Sequence, residues 1–195
     1  ALSGHKVHGP KGVGALVLSR TALAKGHLPR PMIRGGGQQS DLRPGTENVP
    51  GILGFARAVE LAAHDVATAR EATLAARVAF EQALAASPLA GLGARVLVPW
   101  SDNGRQAPHV LSLLVPGAPS EVWLHHLEER AVYASAGSAC QAKKKDLSPA
   151  LLALGLNEDE ARRVLRFSFA AETTPAECRA AIDALAAVAQ SLAHL

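Results

Sequence analysis

Residues 3–14, SGHKVHGPKGVG, crowd one serine, two histidines and two lysines among glycines and a proline, with an apolar run directly behind. A lysine serves as a Schiff-base nucleophile when its amine is held in place and partly desolvated, which lowers its pKa. Small residues ahead of Lys6 and the Gly9-Pro10 pair behind it would fix the loop geometry that such a role needs. Ser3 and His5 flank Lys6 with hydrogen-bonding groups suited to a phosphate. The same residues would also fit a plain glycine-rich loop with solvated lysines. A nucleotide phosphate loop fits less well, because G-x-x-x-x-G-K-[ST] does not occur here.

A phosphate beside a Schiff-base lysine is the arrangement in which pyridoxal phosphate sits in its enzymes. A second stretch, SAGSAC at 135–140, raises a related question about one thiol. A nucleophilic cysteine must ionise and be accessible. Cys140 follows Gly137, Ser138 and Ala139, which are too small to shield it, and the run Lys143, Lys144, Lys145 would favour a thiolate if it lies near. A buried structural thiol at a strand end is the competing account, and a solvated loop is the ordinary one for the lysines. Cys178 lies in a long amphipathic pattern, PAECRAAIDALAAVAQSLAHL, and is expected to be a small buried or half-buried helix residue. Adjacent His125 and His126 point apart on a helix and make a poor metal pair, so no metal site is assigned. Glu158, Asp159 and Glu160 suit the positive end of a helix dipole. Arg43 would serve equally to brace its loop, and Trp100 and Trp123 are expected to pack.

Composition narrows the classes. With 195 residues, 48% of them hydrophobic, the chain can bury one large or two small cores. A net charge of +3 is far from the basic stripe of a nucleic-acid binder. The two cysteines show no paired spacing for zinc or a disulfide framework, so a reducing compartment is the expectation. No apolar run reaches the length of a membrane span and nothing resembles a signal peptide, so the protein reads as soluble and cytoplasmic. The chain opens at ALSGHK, already inside a functional-looking loop, which suggests a fragment or a removed N-terminal part.

The elements that must position these residues alternate between strand and helix patterns. A short strand is expected over 14–20, followed by a Gly- and Pro-rich loop over 26–51 that is too long for an idle connection. From about Val49 to Ala86 the pattern is helical, with Leu53, Ala56, Val59, Ala63, Val66, Ala69 and Thr73 at three-to-four spacing. Strands are expected over 94–99, 109–116 and 164–169, and AVYASAGSAC at 131–140 is expected to be a strand running into a tight small-residue turn. Helices are expected over 120–130 with Ser120 as cap, from Ser148-Pro149 to Gly155, over a short stretch from Glu158, and from Thr174-Pro175 to the end. The result is an α/β layer.

The segment SGHKVHGPKGVGAL resembles the cofactor-lysine segment of the cysteine desulfurases, members of the class V aminotransferase family of fold-type I pyridoxal-phosphate enzymes. GGGQQSDLRPGTENVPG at 35–51 is similar to the family's glycine-rich stretch and Arg-x-Gly-Thr element, SAGSAC to its catalytic cysteine loop, and VLRFSF at 164–169 to its substrate-arginine strand. The resemblance spans essentially the whole chain and implies the C-terminal portion of that fold. Residues 1–50 would be a remnant of the large cofactor-binding domain, 51–90 a linking helix, and 91–195 a small α/β domain. It implies that Lys6 holds pyridoxal 5'-phosphate and moves protons, that Ser3 and His5 bind the phosphate, and that Thr46 reaches the phosphate of a partner subunit's site in a homodimer. Arg166 would pair bidentately with the α-carboxylate of L-cysteine. Cys140 would take the substrate sulfur as a persulfide, leaving alanine, and pass it to an acceptor such as an iron–sulfur scaffold protein. The AKKKD after Cys140 departs from the family's small, hydroxyl-rich continuation.

The family's N-terminal half, with its ring-stacking histidine and ring-nitrogen aspartate, has no counterpart in these residues. The chain alone is therefore expected to be inactive and to need that half, which could be a separate polypeptide. Two other accounts stay open: selenocysteine lyase, with the same lysine and cysteine logic, and a non-catalytic remnant that binds a partner or regulates an intact relative.

Overall fold

In this computed structural model residues 1–27, 29–101, 106–136 and 148–193 are described. The chain divides into two units, Ala1–Val66 and Ala67–Leu195, with the boundary inside one long helix.

The first unit begins with a two-stranded antiparallel ribbon, β1 (Leu2–Ser3) and β2 (Gly14–Ala15), in the register Leu2–Ala15 and Ser3–Gly14. Between the strands Gly4–Val7 form one turn of 3₁₀ helix. Of the strand expected over 14–20, Gly14–Ala15 pair with Leu2–Ser3. Ser19 instead caps a short helix, α1 (Arg20–Ala24), its hydroxyl accepting from the Ala22 amide at 3.1 Å. Helix α2 (Val49–Ala86) follows the long polar loop.

The apolar stripe expected on α2 is turned around the helix from the face that is buried. Leu53, Ala56, Val59, Ala63 and Val66 are exposed, whereas Gly51, Phe55 and Ala58 are buried in the first unit. In the second unit Thr73, Ala76, Arg77, Phe80 and Leu84 are buried. Apolar side chains lie all round this helix, so its periodicity defines no single face. The packing partner chooses it. At Gly54 a Cβ would come within 2.7 Å of the Pro10 ring, so the Pro10 loop dictates that face in the first unit.

The second unit is a four-stranded antiparallel sheet, in the order β3-β4-β6-β5, with helices on both faces. The strands are β3 (Arg95–Val96), β4 (Val110–Leu114), β5 (Ser135–Ala136) and β6 (Val164–Ser168). The helices are α3 (Pro88–Gly91), α4 (Ser120–Glu128), α5 (Pro149–Ala153), α6 (Glu158–Ala161) and α7 (Pro175–Leu192). Strand alternation splits the sheet's side chains cleanly. Leu111, Leu113, Leu165 and Phe167 face a core with Phe80, Leu84, Leu89, Trp123, Leu127, Ile182, Leu185 and Val188. Leu114 and Val164 face the other way, onto Leu151, Leu156 and Ala161 of the α5–α6 segment. Phe80 anchors α2 to the first face, with ring centroids 4.9 Å from Phe167 and 5.6 Å from Phe169.

Ser120 is not the cap of α4. Pro119 holds that position, and Ser120 is buried, its amide donating to the Arg162 carbonyl at 2.9 Å. Thr174 and Pro175 do open α7, with a reciprocal capping box: Thr174 Oγ1 accepts from the Glu177 amide, and Glu177 accepts from the Thr174 amide. The acidic triplet occupies the first turn of α6, capped by Asn157. Trp123 is buried and Trp100 is half-buried.

Arg77 is 3% exposed on α2 and is the polar anchor of this unit. Its Nε donates to Glu81 at 2.9 Å, its Nη1 to the carbonyls of Ala107 at 3.2 Å and Val110 at 2.8 Å, and its Nη2 to that of Val98 at 2.7 Å. The guanidinium also lies 5.4 Å from the Trp100 ring centroid. One side chain thus ties α2 to both ends of the segment between β3 and β4.

Candidate active site

The turn that carries Lys6 is built by close backbone approaches. The Gly4 amide donates to the Val13 carbonyl at 2.8 Å, and the Gly9 amide to the Gly4 carbonyl at 2.9 Å. Gly4 is buried, and a Cβ there would meet the carbonyl oxygens of Pro10 and Val13, each at 3.0 Å. His8 takes the left-handed conformation at φ 62° and closes the turn. Backbone packs inside, so the side chains of Ser3, His5 and Lys6 are left outside, and all three are exposed. The desolvation expected of a nucleophilic lysine is therefore not supplied by the described residues. Nothing large enough to cover the amine lies in this turn of glycines.

The donor set nonetheless fits pyridoxal phosphate. A primary amine, a hydroxyl and an imidazole leave one turn within four consecutive residues, the first matching the cofactor's carbonyl carbon and the others its phosphate. Thr46 belongs to the same unit and is exposed. It follows Gly45, whose φ is 105° and whose amide donates to Gln38 Oε1 at 3.1 Å, so a side-chain clasp shapes the loop just ahead of it.

Arg166 sits in the second unit, at the middle of β6. It lies directly opposite Ser112 of β4 on one side and Ser135 of β5 on the other. All three are half-buried and share the sheet face that carries Leu114 and Val164. Among the described residues no carboxylate pairs with Arg166; the ion pairs found are those of Arg57, His64, Arg77, Arg95, His126 and Arg130. Arg77, by contrast, has its donors taken by Glu81 and three carbonyls. The two arginines show what a structural and an available guanidinium look like in one small domain.

Cys140 and the three lysines after it lie outside the described residues. Cys178 is a buried helix residue, 2% exposed, with its Sγ 3.2 Å from the Ala76 carbonyl. Burial pushes its thiol up from the ordinary value, and the neighbouring Glu177 charge adds to the shift while Arg179 opposes it. A thiol so placed stays protonated and inaccessible, which leaves Cys140 as the only candidate nucleophilic cysteine in the sequence.

Arg77, Ser112 and Ser135 were not marked by sequence patterns of the usual kind. For Arg77 no signal exists in the sequence. For the serines there is one: each is a polar interruption in a strand, and only the sheet register shows that both fall beside Arg166.

The profile described as Aminotransferase class-V matches residues 1–180. A cysteine desulfurase of Gluconacetobacter diazotrophicus is 34% identical over 197 residues, covering 100% of this chain and 46% of the relative. A cysteine desulfurase of Rhodobacter capsulatus is 37% identical over 177 residues, covering 91% of this chain and 43% of the relative. Among solved structures, a NifS-like protein superposes with a TM-score of 0.75 at 29% identity, covering 97% of this chain and 45% of that one. The cysteine desulfurase CsdA of Escherichia coli gives 0.73 at 25% identity, with the same 97% and 45%. The chain thus spans about half the length of the relatives it matches.

Proposed function

The chain belongs to the aminotransferase class-V family, and from that premise we propose that it is the C-terminal portion of a pyridoxal-phosphate-dependent cysteine desulfurase. The enzyme converts L-cysteine to L-alanine and carries the sulfur as a persulfide on Cys140. The observation that carries this reading within the chain is Arg166: a half-buried arginine at the middle of β6, flanked by strands on both sides, that is ion-paired to no carboxylate among the described residues. A planar fork left without a counter-ion suits the bidentate grip of an amino-acid carboxylate.

Lys6 holds the cofactor through its amine, and Ser3 and His5 hold the phosphate. When bound, pyridoxal phosphate supplies the electron sink that lets the carbon–sulfur bond of L-cysteine break. Lys6 moves the proton at the substrate Cα. The Cys140 thiolate forms a bond to the substrate sulfur as the Cβ–S bond breaks; the bonding pair stays with Cβ, which ends protonated as the methyl group of L-alanine. The sum, cysteine plus enzyme thiol to alanine plus enzyme persulfide, is balanced without an external oxidant.

Thr46 serves the partner subunit's site in a homodimer, and a sulfur-acceptor protein such as an iron–sulfur scaffold takes the persulfide in a reducing, cytoplasmic setting. Among the described residues no helix is long and apolar enough to cross a membrane. The remaining half of the relatives' length is needed for activity. Exposure of Lys6 supports that need, as does exposure of Val17 at 72%, Leu53 at 65% and Met32 at 100% in the unit that bears it.

The test is made on this chain assembled with the portion its relatives have and it does not span. Incubation with L-cysteine is expected to give alanine and a persulfide on the Cys140 peptide by mass spectrometry. Cys140→Ala abolishes the persulfide and keeps the bound chromophore. A persulfide still formed in that variant, or a chromophore lost with the thiol, would remove Cys140 from its role.

A further inference from the structure

Helix α2 lies directly under the lysine turn. Gly54 sits in the interior of this helix without a positive φ, so the position does not need glycine for backbone freedom. Glycine is also the poorest helix former after proline. What the position supplies is a missing Cβ. A Cβ at Gly54 would stand 2.7 Å from Pro10 Cγ and 3.2 Å from Pro10 Cδ, where ordinary contact starts near 3.4 Å. One turn along the same helix face, Ala58 meets Gly9: a Cβ on Gly9 would lie 3.3 Å from Ala58 Cβ. Positions 54 and 58 thus form a seat on which the Gly9-Pro10 pair rests.

Gly9 and Pro10 are also the residues that close the turn. The Gly9 amide donates to the Gly4 carbonyl at 2.9 Å, and the Pro10 carbonyl oxygen lies 3.0 Å from where a Gly4 Cβ would be. Lys6 follows Gly4 by two residues, inside the single 3₁₀ turn that these contacts enclose. A displacement of Pro10 therefore passes through Gly9 and Gly4 to the backbone that aims the lysine amine. We propose that Gly54 is a positioning residue for Lys6: its bare Cα lets the Pro10 ring reach α2, and the seated ring fixes the turn. This role rests on the reading of Lys6 as the cofactor lysine. The helix is the firmer partner, since Phe55 and Ala58 are buried whereas Pro10 and Lys6 are exposed. An added methyl at position 54 moves the turn and leaves the helix.

The test compares wild type, Gly54→Ala, Pro10→Ala and the double variant in the assembled protein. Pro10→Ala removes the Cγ and Cδ that the new methyl would meet. In Gly54→Ala the affinity of the cofactor-free form for pyridoxal phosphate is expected to fall about tenfold, within the roughly hundredfold that a 1 Å misplacement can cost. Hydrogen exchange in residues 1–15 is expected to quicken, with protection of α7 unchanged. The absorbance maximum of the bound cofactor is expected to shift at saturation. The double variant is expected to regain most of the wild-type affinity and the wild-type maximum. A merely destabilised protein would not be rescued by a second truncation. Unchanged affinity and exchange in Gly54→Ala, or no rescue in the double variant, overturns the proposal. Peptide mapping of the borohydride-reduced adduct in wild type separates the two readings. With the adduct on Lys6 and Gly54→Ala without effect, the assignment of Gly54 alone falls. An adduct on another lysine removes Lys6 from its role, and the positioning role of Gly54 falls with it.

Discussion

The two units solve opposite problems. Ala67–Leu195 has a sheet between two apolar clusters, an internal arginine with its hydrogen bonds met, and side chains such as Leu113, Leu127 and Leu185 that are wholly buried. Ala1–Val66 buries little beyond Gly4, Pro44, Gly51, Phe55 and Ala58, and leaves Leu16, Val17 and Met32 in solvent. Yet the poorly buried unit carries the lysine turn. Its order comes from glycine-permitted backbone contacts rather than from a hydrophobic core. Burying apolar side chains gives roughly 25 cal/mol per Å², so a unit that exposes them forgoes its main source of stability. The lysine turn is therefore a local backbone device set in a segment that needs more protein around it, whereas the arginine strip rests on a finished domain.

That contrast predicts a complete separation of chemistry from stability at Lys6. In the assembled protein, Lys6→Ala is expected to abolish the borohydride-reducible adduct, with hydrogen-exchange protection of α7 unchanged. The side chain is exposed and has no packing role to lose. An adduct surviving in this variant would move the carrier to another lysine, with Lys11 in the same turn the nearest by sequence. Lost protection in α7 would instead show that the turn supports the second unit.

Arg77 offers the reverse case, where stability changes without any chemistry being touched. Arg77→Met would strand the Glu81 carboxylate and the carbonyls of Ala107, Val110 and Val98. Breaking a buried pair by removing one partner costs about 3–5 kcal/mol. A loss under about 1 kcal/mol in equilibrium urea unfolding of the variant would show that water replaces the guanidinium without difficulty. Arg77→Lys is expected to recover little, because a point charge cannot serve one carboxylate and three carbonyls in the fixed fork that the arginine provides.

Much of this architecture is legible before folding, for identifiable reasons. Val49–Ala86, Pro175–Leu192 and the strands at Val110 and Val164 follow from long periodicity, capping residues and apolar runs. The lysine turn is legible because only glycine tolerates its close approaches, so its spacing is a physical requirement. The buried face of α2 is not legible, since apolar residues circle the helix and Pro10 selects Gly54 from a distance in sequence. Ser19 as a cap was hidden inside what looks like a strand. The Ser112–Arg166–Ser135 strip depends on register between strands, which is a property of pairing and leaves only isolated polar interruptions in the sequence.

The smallest expected effect lies at the opening of α7, where the finished unit meets solvent. Thr174→Ala removes the hydroxyl that accepts from the Glu177 amide at 3.2 Å and donates to the Glu177 carboxylate at 2.8 Å. Loss of such a cap costs about 1 kcal/mol, and Thr174→Ser is expected to recover most of it. The same site carries a pH dependence whose sign is fixed. The Thr174 amide first, and its hydroxyl second, hold the Glu177 carboxylate below the usual glutamate range. A folded pKa below the unfolded one means that the native state binds fewer protons. Its contribution is present above the unfolded pKa and fades as pH falls through the folded one. Stability of the wild-type protein should therefore decline on acidification through that window, and Glu177→Gln should remove this part of the decline. An unchanged acid profile in Glu177→Gln would mean that the capping hydrogen bonds persist with the carboxyl protonated, leaving the helix cap as a matter of geometry alone.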